Sequence, residues 1–176
     1  MKIEQFVAQS AGQWRAMRSA HSLAFKQFEQ IVSTITIQTL EKNDPVVTKL
    51  RESYQHIKGN HVAPFLIEWA TEEDWELESQ DEITSGSTIL IPIPQTNRSG
   101  FLVKSMGYAE PIQSLSNYNF LNDGTLKLTT KYKNSSAEER LWFLSENVRS
   151  RTSVIYSGKN LGIIQTSFSS EVRLKN

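Results

Sequence analysis

Two arginines separated by one residue, Arg149 and Arg151, carry the clearest chemical signal in this chain. They lie in Ser136–Ser157, where two apolar, strand-like runs meet at Glu146-Asn147 behind the adjacent acids Glu138 and Glu139. Strand alternation puts Arg149, Arg151 and Ser153 on one face and Val148, Ser150, Thr152 and Val154 on the other. A face carrying two guanidinium groups is solvated, paired with carboxylates, or aimed at an anionic ligand. Solvation is the usual state of Arg, so other features must decide whether this face is idle.

Other chemistries are poorly represented. The histidines are His21, His56 and His61, without the spacing of a zinc site. There is no glycine-rich phosphate loop and no nucleophile elbow. Cysteine is absent, which excludes disulfides, thiolate metal sites and a cysteine nucleophile within the chain. Trp69 and Trp75 sit among five acids in EWATEEDWE. They read either as core tryptophans beside a solvated acidic turn or as aromatic walls for a flat ligand. Lys+Arg and Asp+Glu balance at 19 each over 176 residues, so nucleic-acid binding is not expected. The first residues lack the apolar run of a signal peptide, and no stretch is long enough to span a bilayer; the expected location is cytoplasmic, with no membrane partner.

The elements that must position these residues are mostly strands. Ile3, Phe6 and Val7 recur at helical spacing, which predicts a short helix over 2–10. Gly12-Gln13-Trp14 opens the first strand; Gly-x-Trp there resembles a lipocalin signature, with Arg173 as the residue that stacks on the tryptophan. Ser22–Leu40 reads as a long curved strand or a strand pair. Asp44-Pro45 caps a second helix over 45–57. Strands are then expected at Val62–Ala70, Asp74–Ser79, Ser87–Ile93, Phe101–Tyr108, Asn117–Leu121, Leu126–Tyr132, Arg140–Leu144, Val148–Ser157 and Gly162–Leu174. Asn122-Asp123-Gly124 is a strong hairpin signal. Short strands at this spacing predict a single-domain antiparallel meander over residues 1–176, closed into a barrel whose lumen is able to hold one small ligand. The last strand is ambiguous. Ile164, Phe168, Val172 and Leu174 share one face, and Gln165, Ser167, Ser169, Glu171 and Arg173 the other; the commoner arrangement turns the apolar side inward.

SAGQWRAMRSAHSLAFKQFE, GSTILIPIP, MGYAEP, DGTLKLTTKY, EERLWFLSENVRSRTS and SFSSEVRL, in that order, resemble the S-type phycobiliprotein lyases, the CpcS/CpeS family. EERLWF followed by N-x-R-x-R-T-S is the most specific block, whereas Tyr54–Thr84 departs from the family pattern. The resemblance implies a mainly β, ten-stranded up-and-down barrel of the lipocalin or fatty-acid-binding type with an added helix. It implies binding of an open-chain phycobilin and its attachment, through a thioether, to a cysteine of an apo-phycobiliprotein subunit. The bilin is then a substrate and no cofactor or metal is held permanently.

Carried over by the same resemblance are Glu139, Arg149 and Glu171 as catalytic residues, and Arg18, Trp69, Trp75, Trp142, Arg151 and Ser153 as ligand-binding residues. The arginines suit the two propionates of a bilin; Glu139 or Glu171 suits its pyrrole nitrogens, as counter-ion or general acid. Arg149→Ala and Glu139→Ala are expected to fold normally and lose binding or transfer. FKQFEQIVS tilts the choice of pigment to phycoerythrobilin over phycocyanobilin. A carrier or phycobiliprotein chaperone without transfer activity is the alternative, and both a homodimer and a heteromer with a related lyase stay open.

Overall fold

Period-two alternation dominates the chain, and the backbone answers it with ten strands and two short helices. The computed structural model describes residues 1–23, 25–72, 85–106, 112–158 and 162–175. The elements are α1 (Ile3–Ser10), β1 (Gly12–Ser22), β2 (Gln27–Thr39), α2 (Pro45–Glu52), β3 (Phe65–Thr71), β4 (Ser85–Pro94), β5 (Ser99–Lys104), β6 (Ser114–Phe120), β7 (Leu126–Lys131), β8 (Ser135–Ser145), β9 (Val148–Ser157) and β10 (Ile163–Arg173). Each strand pairs antiparallel with its chain neighbours, and β10 pairs with β1, which closes the barrel. Closure leaves no sheet edge unpaired. The strand expected at Asp74–Ser79 lies outside the described residues.

Ser22–Leu40 resolves into the end of β1, a turn, and the single long strand β2. Asp44 caps α2 as its sequence predicts, its Oδ1 accepting from Val46 N at 2.8 Å. The helix stops at Glu52 instead of residue 57 because the next carbonyls find another donor. The Arg51 guanidinium donates to Tyr54 O at 2.5 Å and Ile57 O at 2.6 Å, which holds 53–57 as turns. Val47 and Leu50 of α2 still cover Ile91, Ile93 and Val103 on the outside of β4 and β5. That cover explains the unbroken apolar run Ile89–Ile93: both of its faces are buried.

The main core fills one end of the barrel. Ile3, Phe6 and Val7 of α1 plug that end against Trp14, Ile37, Phe65, Leu102, Phe120 and Leu126. Arg173 locks the plug. Its guanidinium lies 4.2 Å from the Trp14 ring centroid and donates to Gln9 O and Ala11 O at 2.6 Å each. Gly12 is required here, for its φ is +121° and a Cβ would sit 2.7 Å from Arg173 Nη1. At the opposite end lies the β1–β2 turn, with Phe25 exposed.

Candidate functional site

Directly opposed residues of an antiparallel ladder share a sheet face, so pairing around the barrel identifies the lumen wall. From Trp14 on the plugged floor, one rung higher links Ala16, Glu171, Arg149 and Phe143. The next links Arg18, Ser169, Arg151 and Leu141, and the one above it Ala20, Ser167, Ser153 and Glu139. Arg149, Arg151 and Ser153 therefore face inward, on the same wall as Glu139. The ambiguity of β10 ends with its polar side inward: Glu171 is 2 % exposed, while Phe168 and Val172 are 46 % and 50 % exposed on the outside. The reversal goes with the polar neighbours on β9, where Glu171 opposes Arg149, Ser169 opposes Arg151 and Ser167 opposes Ser153.

Two buried ionic clusters occupy this wall. In the lower one, Arg149 Nε donates to Glu171 Oε2 at 2.5 Å, and Ser169 Oγ donates to Oε1 at 3.4 Å. The Arg149 guanidinium also stands 4.4 Å from the Trp14 ring centroid. Burial pulls the Arg149 pKa below the ordinary value, Glu171 pushes it back, and the nearby Arg151 and Arg173 lower it further. In the upper cluster, Glu139 is 1 % exposed and both of its oxygens are engaged. Lys104 Nζ donates to Oε2 at 2.9 Å, and Arg151 Nη2 donates to Oε1. Burial by itself would raise the Glu139 pKa; Lys104 and Arg151 outweigh it and hold the group down, at about 2. Glu139 is thus a fixed carboxylate at neutral pH. Ionised and held from two sides, Glu139 fits the counter-ion role better than the general-acid role also expected of it.

Beside these buried groups the wall is more open in places. Arg18 Nη2 donates to Glu29 Oε2 at 2.9 Å, with both side chains about a third exposed, and the Arg151 side chain is 29 % exposed. Ser153 and Ser167 share a hydrogen bond of 2.7 Å between their hydroxyls. Trp69 faces inward opposite Ile35 and Gly86. Gly86 makes room for its indole, since a Cβ there would lie 2.4 Å from Trp69 Cζ2. Within this described wall the cations Arg18, Lys104, Arg149, Arg151 and Arg173 outnumber the acids Glu29, Glu139 and Glu171.

Some expected positions fall elsewhere. Trp142 opposes Ser150 on the outer face of β8 and lines a surface depression of about 360 Å³ with Asp123, Thr125, Arg140 and Thr152. It cannot line the lumen, because it differs from Glu139 by an odd number of residues along one continuous strand. Trp75 lies outside the described residues. Glu139 and Arg149 share the lumen face without opposing each other: Glu139 faces Ser153, and Arg149 faces Phe143. Two inward residues were missed in the sequence. Lys104 sits at the end of the apolar run Phe101–Val103, where its charge reads as a strand terminus. Ser114 opposes Lys104 on β6, and its buried Oγ has no hydrogen-bond partner among the described residues. No group of metal-ligating side chains occurs among the described residues, nor is any helix there long and apolar enough to cross a membrane.

Comparison with known proteins follows this geometry. A family model described as CpeS-like protein matches residues 2–174. Chromophore lyase CpcS/CpeS 3 of Trichodesmium erythraeum is 42 % identical over 175 residues, 98 % of this chain and 99 % of that protein. The putative phycoerythrobilin lyase CpeS of Microchaete diplosiphon is 38 % identical over 85 % of this chain and 66 % of its own length. The phycocyanobilin lyase subunit CpcS of Picosynechococcus is 33 % identical over 98 % of this chain and 86 % of its own. Among solved structures, the S-type phycobiliprotein lyase CPES of Guillardia theta superposes with a TM-score of 0.82 at 30 % identity, covering 100 % of this chain and 94 % of that one. This chain therefore belongs to the CpeS-like family of S-type chromophore lyases and shares the fold of the matched lyase structure.

Proposed function

We infer that this protein is a phycobiliprotein chromophore lyase, which binds an open-chain phycobilin in its barrel and joins it to a cysteine of an apo-phycobiliprotein subunit. The observation that carries the reading is family membership over nearly the whole chain, with the R-x-R-x-S face turned into the lumen. The acceptor must supply the thiol, because this chain has no cysteine. Addition of that thiol to the exocyclic double bond of the bilin forms one C–S bond, spends the π bond and returns the thiol proton to the pigment. No oxidant or reductant is needed.

Each lumen residue has a task in this scheme. Arg18 and Arg151, the more accessible cations, take the two propionates through charge-assisted hydrogen bonds worth ~1.5–3 kcal/mol each. Trp69 gives the flat face against which a pyrrole ring rests. Ser153 and Ser114 offer hydroxyls to the polar edge of the pigment. Arg149 and Glu171, sealed over Trp14, form a charged floor that sets the depth of insertion. Fixing the pigment against these groups directs addition to one carbon and one face, an effect of orientation. The sequence tilt and one relative's name support phycoerythrobilin; another relative is named for phycocyanobilin. A cytoplasmic location belongs to the same reading.

The test mixes the protein with phycoerythrobilin or phycocyanobilin and an apo-subunit, then denatures the mixture. Pigment that stays on the subunit supports the lyase. Pigment that binds this protein and never transfers overturns the lyase in favour of a carrier, and no spectral change with either bilin overturns both.

A further inference from the structure

Lys104 belongs to a strand far from the R-x-R segment, yet it reaches the same carboxylate as Arg151. A lysine this buried is rare unless paired, and its ammonium lies 2.9 Å from Glu139 Oε2 with 5 % of its side chain exposed. Glu139 is thereby held from two sides, by Lys104 from β5 and Arg151 from β9. With one oxygen bound by Lys104, the other must stay turned to Arg151. The arrangement fixes the one member of the cluster whose side chain reaches open lumen.

We propose that Lys104 is a positioning residue for ligand recognition: it clamps the Glu139 carboxylate and, through it, holds the Arg151 guanidinium toward the bound anionic ligand. The inference rests on the bilin reading for the identity of that ligand, but the clamp is a property of the empty protein as well. A guanidinium held in place loses little freedom on binding, and that is where its affinity comes from.

Removing Lys104 takes away the first attraction that keeps Glu139 ionised while its burial stays. The charged groups that then face Glu139 are Arg151 beside it on β9, the Arg149–Glu171 pair between β9 and β10, and the Arg18–Glu29 pair between β1 and β2. Tyr118 on β6 shares the lumen face, and its pKa, raised to about 12 chiefly by burial, keeps it neutral. Arg151 alone holds the carboxylate less strongly, so Glu139 protonates more readily as pH falls, and protonation releases Arg151.

The experiment titrates phycocyanobilin and phycoerythrobilin, by absorbance, into wild type, Lys104→Met and Lys104→Arg between pH 8 and pH 5. Wild-type affinity is expected to be flat. Lys104→Met is expected to bind about tenfold more weakly at pH 8, the size of one lost charge-assisted contact, and to weaken further toward pH 5; Lys104→Arg restores the flat profile. Lys104→Met affinity equal to wild type, or lower by one constant factor at every pH, overturns the proposal. A readout free of ligand accompanies it: rotation of the Arg151 guanidinium by NMR, hindered in wild type and free in Lys104→Met. Free rotation in the wild type overturns the clamp even where the variant does not fold. Absence of bilin binding by wild type, together with a hindered Arg151, overturns the bilin reading and leaves the clamp standing.

Discussion

Arg149→Met is the substitution that best separates stability from function in this barrel. Arg149 and Glu171 are both within a few per cent of complete burial, and their shared bond of 2.5 Å is the main compensation each has. Truncating the arginine leaves Glu171 a buried carboxylate with only the 3.4 Å contact from Ser169. Breaking a buried pair in this way costs ~3–5 kcal/mol. It also removes one of two cations stacked on Trp14, a contact worth ~0.5–2 kcal/mol. Against a total stability of ~5–15 kcal/mol, the broken pair alone is a large fraction, and at ~2–4 °C per kcal/mol for a chain of this size it lowers Tm by ~6–20 °C. The expectation from sequence that an arginine truncation here folds normally is thus revised. The reason is that Arg149 is sealed in a buried pair with Glu171. The double variant Arg149→Met, Glu171→Leu replaces the pair by apolar side chains of similar volume and is expected to recover most of the loss. Denaturant unfolding of wild type, the single variant and the double variant measures this directly. A single variant within 1 kcal/mol of wild type, or a double variant no more stable than the single, refutes the reasoning. Once the double variant is folded, its transfer activity reports what the charged floor does for the pigment, free of any folding defect.

Glu139 makes an acid-stability prediction. Its pKa falls from 4.5 unfolded to about 2 folded, so its contribution is fully present above pH 4.5 and lost as pH falls through about 2. The difference corresponds to about 3 kcal/mol; Glu139→Gln should remove the acid-side slope from that window in denaturant titrations at stepped pH, and an unchanged slope would assign it to other carboxylates. Two of the tryptophans expected at the ligand site should behave differently: Trp69→Ala is expected to weaken bilin binding by about tenfold or more, the scale of a lost aromatic wall, whereas Trp142→Ala on the outer face leaves affinity within twofold. Equal losses in an absorbance titration would contradict the facing of β8.

Much of the barrel is legible because local rules dominate its strands. Asp44-Pro45, Asn122-Asp123-Gly124 and the alternation of 148–154 each fix their element from a few adjacent residues. Arg173 stacked on Trp14 was also foreseeable, from the lipocalin-like Gly12-Gln13-Trp14 pattern. Facing is harder. In β10 the apolar residues point outward, because the neighbours on the inner wall are Ser153, Arg151 and Arg149, and no pattern within the strand records them. Lys104 and Glu139 are separated by 35 positions, so their contact exists only through the curvature that brings β5 and β8 to one lumen. Trp142 is a different case. Its odd offset from Glu139 already excluded a shared face, and counting along the strand would have shown it.

The inner wall also explains how a charged cavity coexists with a stable barrel. Its apolar half, from Phe6 and Trp14 up to Leu128, supplies the burial that drives folding. The ionic half is not a source of stability, for buried pairs roughly break even against apolar replacements. What pairing does is let the protein keep guanidinium groups in a low-dielectric lumen before any ligand arrives. The desolvation of Arg149 and Lys104, and part of that of Arg151, is then already met in the folded state, with Glu171 and Glu139 as internal counter-ions. An incoming carboxylate needs to exchange its own water for donors that are held in place, and it meets a wall on which cations exceed acids. Apolar replacement of the upper cluster, like that of the Arg149–Glu171 pair, should therefore cost little in unfolding measurements, and it should cost much in bilin affinity.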